Sequence, residues 1–211
     1  MATAPHHAAL QEFFRWERQS WVEVVADITA DEKAYFMPVE TLKSYFKGNG
    51  GKKLNKILLE VFQSDDIPVD PEVILRGHTA VFCILLRISK GRFIEDFAYF
   101  EELSDQRLPF DPDHPPAHFP EDVDDPGFLQ RFCETQWMYC VPVFGDHMLH
   151  KHFGHQRLLP ITQKETCEAE GDPAAYRIKL YGTHNKVIPV GSEIVRFYMT
   201  FFPTYSLIFI S

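Results

Sequence analysis

Four histidines, His147, His150, His152 and His155, fall within nine residues of the stretch GDHMLHKHFGH (145–155), with Asp146 directly ahead of them. Neutral imidazole is a good zinc ligand, and zinc sites are built from such side chains held at fixed spacing. In a helix, His147 and His150 share a face at i, i+3, and Asp146 joins His150 at i, i+4. The pattern is not HExxH, however, and no cysteine stands at ligand spacing. A solvated polar connector is therefore the expectation, with a histidine-based metal-binding protein as the alternative. Four adjacent imidazoles would gain charge at mildly acid pH, so the segment is a candidate for pH sensitivity.

The other chemistry-bearing stretches are weaker. GNGGKK (48–53) places lysines after a glycine-rich turn, where a helix N-terminus can hold an anion. It lacks the spacing and the hydroxyl of a Walker A loop, so a helix–helix turn with solvated lysines is expected. Cys83, Cys133, Cys140 and Cys167 match no zinc pattern, and Cys133 and Cys140 lie too far apart for a CxxC knuckle. They are expected to be reduced, inert thiols. Asp124 and Asp125 sit among prolines and are expected to be solvated charge, because acid–base work needs a held geometry.

The elements that must position these residues follow from composition and period. With 45% hydrophobic and 24% charged residues, and 19 Phe, the 211-residue chain can bury a substantial core. The formal net charge of −9 argues against nucleic acid and anionic lipid as partners. No basic-then-apolar leader opens the sequence, so an intracellular, cytoplasmic or nuclear location is expected. Leu10, Phe13, Phe14, Trp16, Trp21, Val24 and Val25 predict an amphipathic helix over 8–25. Further helices are expected after Pro38, around Leu54 to Phe62, from Val73 to Ile88 as one buried helix, and over Phe93 to Leu103. Together they predict an all-α domain over 5–105. LPFDPDHPPAHFPEDVDDP carries six prolines and six acids and reads as an extended linker, 106–127. Residues 128–157 are expected to form a helix ending before Pro142, then the histidine-rich connector. LLPITQKETC and AAYRIKLYGTH alternate as strands and predict a β-hairpin within 158–187.

In that order, FCETQWMYCVPVF, the histidine-containing spacer, LLPITQKE and YRIKLYGTH resemble the entry to the kinase domain of fungal serine/threonine kinase-like proteins. HTAVFCILLRISKGRFIEDFAYFEELSDQRLPF resembles the helical region ahead of it, and the likeness runs loosely over 35–187. The resemblance implies an N-lobe hairpin around a glycine-rich loop, G-x-G-x-x-G-x-V, whose backbone approaches ATP phosphates. Here Glu168, Glu170 and Pro173 occupy the glycine positions, Ala175 the valine position, and Gly171 is the one glycine nearby. Carboxylates repel a triphosphate and proline removes an N–H. VAIK, HRD and DFG elements are not found, so no phosphoryl transfer is expected of this chain.

The fold class expected is therefore α+β: a helical domain, a linker helix and an incomplete kinase-like hairpin. Residues 188–211 are expected to be an unrelated hydrophobic tail, a strand pair broken at Pro203 or translated intron. A tail anchor over 194–211 is the alternative, though its uncharged run falls short of the ~20 residues a span needs. The function expected is a kinase-like fragment without catalytic residues, without cofactor, and at most a module that binds other proteins. A truncated serine/threonine kinase is the second reading.

Overall fold

The computed structural model describes residues 8–26, 32–144, 152–153, 158–167, 175–184, 186, 195–198 and 205–206. The architecture is α+β. Contacts divide the chain into two compact units, Met1–Trp21 with Met37–Cys140, and Val22–Phe36 with Val141–Ser211.

The first unit is helical. Helix α1 (Ala8–Ser20) buries Phe13, whose ring stacks on Phe46 at 5.5 Å, while Trp16 stacks on Tyr45 at 4.1 Å. The first N–H groups of α1 lack partners within the helix. Glu60 supplies them from α3 (Lys52–Phe62), accepting from Ala9 at 2.7 Å and Leu10 at 2.9 Å. Pro38 precedes α2 (Val39–Lys47), where its missing N–H costs nothing. Between α2 and α3 the backbone is left-handed at Asn49, Gly50 and Gly51, with φ of 55°, 67° and 80°. Glycine enters that region without strain and asparagine tolerates it, so the GNGG run is a turn device.

The single helix expected over 73–88 is two helices, α4 (Pro71–Gly77) and α5 (Thr79–Arg87), broken at His78. Asp70 caps α4, accepting from Glu72 N at 2.9 Å. Distant Asp105 starts α5 afresh, accepting from Ala80 N at 3.1 Å and Val81 N at 2.9 Å. A second set of unpaired N–H groups is tolerable there because a carboxylate satisfies it. Burial nevertheless pushes the Asp105 carboxyl up to about 6, against the opposing pull of those N–H groups. Thr79 through Leu86 are all buried, making α5 the central helix of the core. Helix α6 (Ile94–Tyr99) and helix α7 (Phe128–Gln136) complete the unit.

The second unit is built on antiparallel sheets. Strand β1 (Val22–Val25) pairs with β2 (Lys33–Phe36), with Val22 opposite Phe36 and Val24 opposite Ala34. The helix expected over 8–25 therefore stops at Ser20. Val22, Val24 and Val25 are β-branched, and Val24 turns inward while Glu23 turns outward, the two-residue period of a strand. Strand β3 (His152–Phe153) pairs with β7 (Tyr205–Ser206). The expected hairpin is present as β4 (Ile161–Cys167) and β5 (Ala175–Leu180), with Lys164 opposite Ile178. Strand β6 (Val195–Tyr198), from the segment expected to be unrelated tail, adds to the far side of β5 and completes the order β4-β5-β6. Val24, Phe36 and Val141 form the buried cluster of this unit, with Tyr181 packed against it. The rings of Phe36 and His184 meet edge to face at 5.0 Å. No helix among the described residues is long and apolar enough to cross a membrane.

Candidate interaction surface

The proline- and acid-rich segment is not an extended linker. It wraps onto the helical unit because three of its neighbourhood's phenylalanines are core residues. Phe110 stacks on Phe132 of α7 at 5.4 Å, Phe119 meets Phe132 edge to face at 5.6 Å, and Phe97 stacks on the same ring at 5.4 Å. Burial of aromatic rings outweighs the cost of holding a proline-stiffened chain, which loses less entropy than an ordinary one. Gln136 fixes the start of this strap. Its Oε1 accepts from Phe110 N at 2.7 Å and its Nε2 donates to Phe110 O at 2.8 Å, and Gln136 is wholly buried.

Charge fixes the other end. Lys90 pairs with Asp122 and, at 3.1 Å, with Asp125, while Arg131 of α7 closes on Asp125. Hydrogen bonds donated to these carboxylates raise the Lys90 ammonium above its ordinary value, and the Arg131 guanidinium beside Asp125 lowers its carboxyl. His118 adds a ring stacked on Phe100 at 4.0 Å and a contact with Glu102 at 2.5 Å. Asp124 and Asp125, expected to be alike, thus differ: Asp125 is tied down and Asp124 faces solvent.

Between these fixed ends lies a cavity of about 470 Å³, lined by Pro115, Pro116, Phe119, Val123, Phe128 and Leu129 and edged by Glu121, Asp122 and Asp125. Val123 is 93% exposed at its mouth. The volume is in the range of sites that take a peptide side chain or small ligand.

The buried polar groups elsewhere in the unit are committed to structure. Glu17 is wholly buried, and its carboxylate accepts from Arg87 Nη2 at 3.1 Å and from the Tyr139 hydroxyl at 2.5 Å. Arg87 Nε also donates to Tyr139 at 2.9 Å, and its guanidinium lies 4.7 Å from the Trp21 ring centroid. This set joins α1, α5 and the segment after α7. Such a network is satisfied by its own members and ties the segments together. The nearby Cys83 thiol is pushed well above its ordinary value by burial, and Cys133 up to about 11, so neither is a ready thiolate at neutral pH. His78 is buried between α4 and α5 with its Nε2 unpartnered, and burial lowers its basicity against the opposing pull of the Val73 carbonyl.

Of the residues singled out from sequence, His147, His150 and His155 lie outside the described residues, as do Glu168, Glu170, Gly171 and Pro173 of the degenerate glycine loop. His152 is in β3 opposite Ser206. Among the described residues no group of three or more His, Cys, Asp or Glu side chains is placed to hold a metal ion. Lys53 of GNGGKK sits 3.9 Å over the Tyr45 ring and 3.6 Å from Glu12, a structural contact rather than an anion cradle. The residues that sequence reasoning missed are Glu17, Asp105 and Gln136. Glu17, at an i+4 step from Phe13 along the apolar stripe of α1, carried the one legible signal: a charge placed where a helix faces its core.

Comparison with family models, curated proteins and solved structures finds no match to this chain.

Proposed function

We propose that this chain is a non-catalytic module that binds other proteins, with its contact surface on the helical unit. The observation that carries the reading is the strap cavity of about 470 Å³ with an apolar floor, open at Val123. Buried Glu17, Asp105 and Gln136 of the same unit serve its own backbone and one another, whereas at the strap apolar surface meets solvent. Exposed apolar surface rimmed by polar groups is the ordinary signature of a protein contact. The test is proximity labelling with the full chain and with Val123→Arg, which fills the mouth with a charge and touches no core residue. A set of neighbours lost in the variant is expected. An unchanged set would refute the reading.

A truncated serine/threonine kinase is the second reading. It is supported by the β4–β5 hairpin, which falls where the resemblance to kinase-like proteins puts the first N-lobe strands. The two readings separate in a thermal shift with Mg-ATP: none is expected from a binding module, and a clear one favours the kinase. Sequencing the message across the codons for Ile188 to Glu193 tests the same point, since splicing there into kinase elements requires a longer protein.

A further inference from the structure

The partner's chemistry can be read from the strap. Its six carboxylates divide into two groups. Asp122 and Asp125 are neutralised by Lys90 and Arg131, and Asp111 has His114 at 3.0 Å. Asp113, Glu121 and Asp124 are exposed, and no cation of the described residues is bonded to any of them. Glu121 and the exposed Val123 line the cavity, and the exposed Asp124 follows Val123 directly in the chain, so apolar and anionic surface are presented side by side. The neutralised pair holds the backbone in place, which leaves the other two acids fixed in position without a counter-charge of their own. Resting on the reading of this surface as a protein contact, we infer that the strap cavity takes a short basic segment of a partner protein, an apolar side chain seated on Val123 and Leu129 and flanking Lys or Arg side chains on Glu121 and Asp124.

Complementary charge at a rim selects partners and speeds encounter, while the apolar side chain supplies most of the affinity. The occupant is therefore neither a purely basic tail nor a purely apolar helix. The probe is a fluorescein-labelled Lys-Arg-Leu-Lys-Arg-Leu-Lys-Arg peptide, titrated with the full chain and followed by anisotropy. Saturable binding is expected, weakened about tenfold in the exposed double variant Glu121→Lys/Asp124→Lys. A control peptide with Ser in place of Leu is expected to bind about tenfold more weakly as well. Equal binding of the Ser peptide would reduce the effect to bulk charge and overturn the inference, as would binding unchanged by the double variant, or none at all. Unaltered tryptophan emission shows that the variant is folded. Failure here with neighbours still lost in Val123→Arg cells refutes the basic partner alone. If those neighbours persist, it is the contact surface itself that fails.

Discussion

Replacing Gln136 tests the idea that the strap belongs to the helical fold. Gln136 makes two buried hydrogen bonds to one backbone unit, at 2.7 and 2.8 Å, and Phe110 is 5% exposed. Gln136→Leu keeps the volume roughly but strands an N–H and a C=O in the core. Each stranded group costs ~1–3 kcal/mol, so a loss of about 3 kcal/mol is expected, a large part of a typical domain's ~5–15 kcal/mol. Gln136→Glu is the sharper probe. Ionised, it can accept from Phe110 N but repels Phe110 O; protonated, it replaces both bonds. Its folded carboxyl is then raised above the unfolded value of ~4.3. A raised group contributes stability that is fully present below the unfolded value and lost as pH rises through the folded one. The Glu variant should therefore approach the parent near pH ~4 and fall away toward pH ~7. All three tryptophans, Trp16, Trp21 and Trp137, lie in the helical unit, so urea unfolding followed by tryptophan emission reports this unit alone. A Leu variant within ~0.5 kcal/mol of the parent, or a Glu variant with a pH-independent deficit, would refute the reasoning.

Arg87→Met leaves the Glu17 carboxylate buried with only Tyr139 beside it, and a loss of ~3–5 kcal/mol is expected in the same assay. Glu17→Leu/Arg87→Met together should recover most of it, and additive losses would show that the pair is not coupled. His184 is 8% exposed, and burial depresses it to about 4 from an ordinary value near 6.5. A depressed histidine contributes stability that is whole above the unfolded value and lost as pH falls through the folded one, here ~3 kcal/mol between pH ~6.5 and ~4. Hydrogen exchange at the β4–β5 amides should rise over that window and should not in His184→Leu. At Gly91 an added Cβ would lie 3.0 Å from Leu86 Cδ2 and 3.2 Å from both Val61 methyls. Gly91→Ala is expected to cost ~1–2 kcal/mol by overpacking, and an unchanged urea midpoint would show that these side chains yield freely.

The sequence by itself determined the features that depend on neighbours a few residues away. The α+β class, the start of α2 at Pro38, the glycine turn after it and the β4–β5 hairpin are local. They rest on helical period, on proline's fixed φ and on alternation, all of which read within one segment. What it could not determine was decided by residues far apart in the chain. Val22 to Val25 fits either the end of α1 or a strand, and only pairing with Lys33 to Phe36 settles it. The run from Val73 to Ile88 is apolar throughout, and only Asp105, some 25 residues on, offers the carboxylate that lets a second helix begin after His78. Six prolines and six acids make 106–127 look like a linker. Its own Phe110 and Phe119, packed on Phe97, Phe128 and Phe132, together with one glutamine and two cations from other segments, turn it into a wall of the core. Burial of a polar group is permitted only where a partner meets it, and sequence spacing does not say which distant partner that will be.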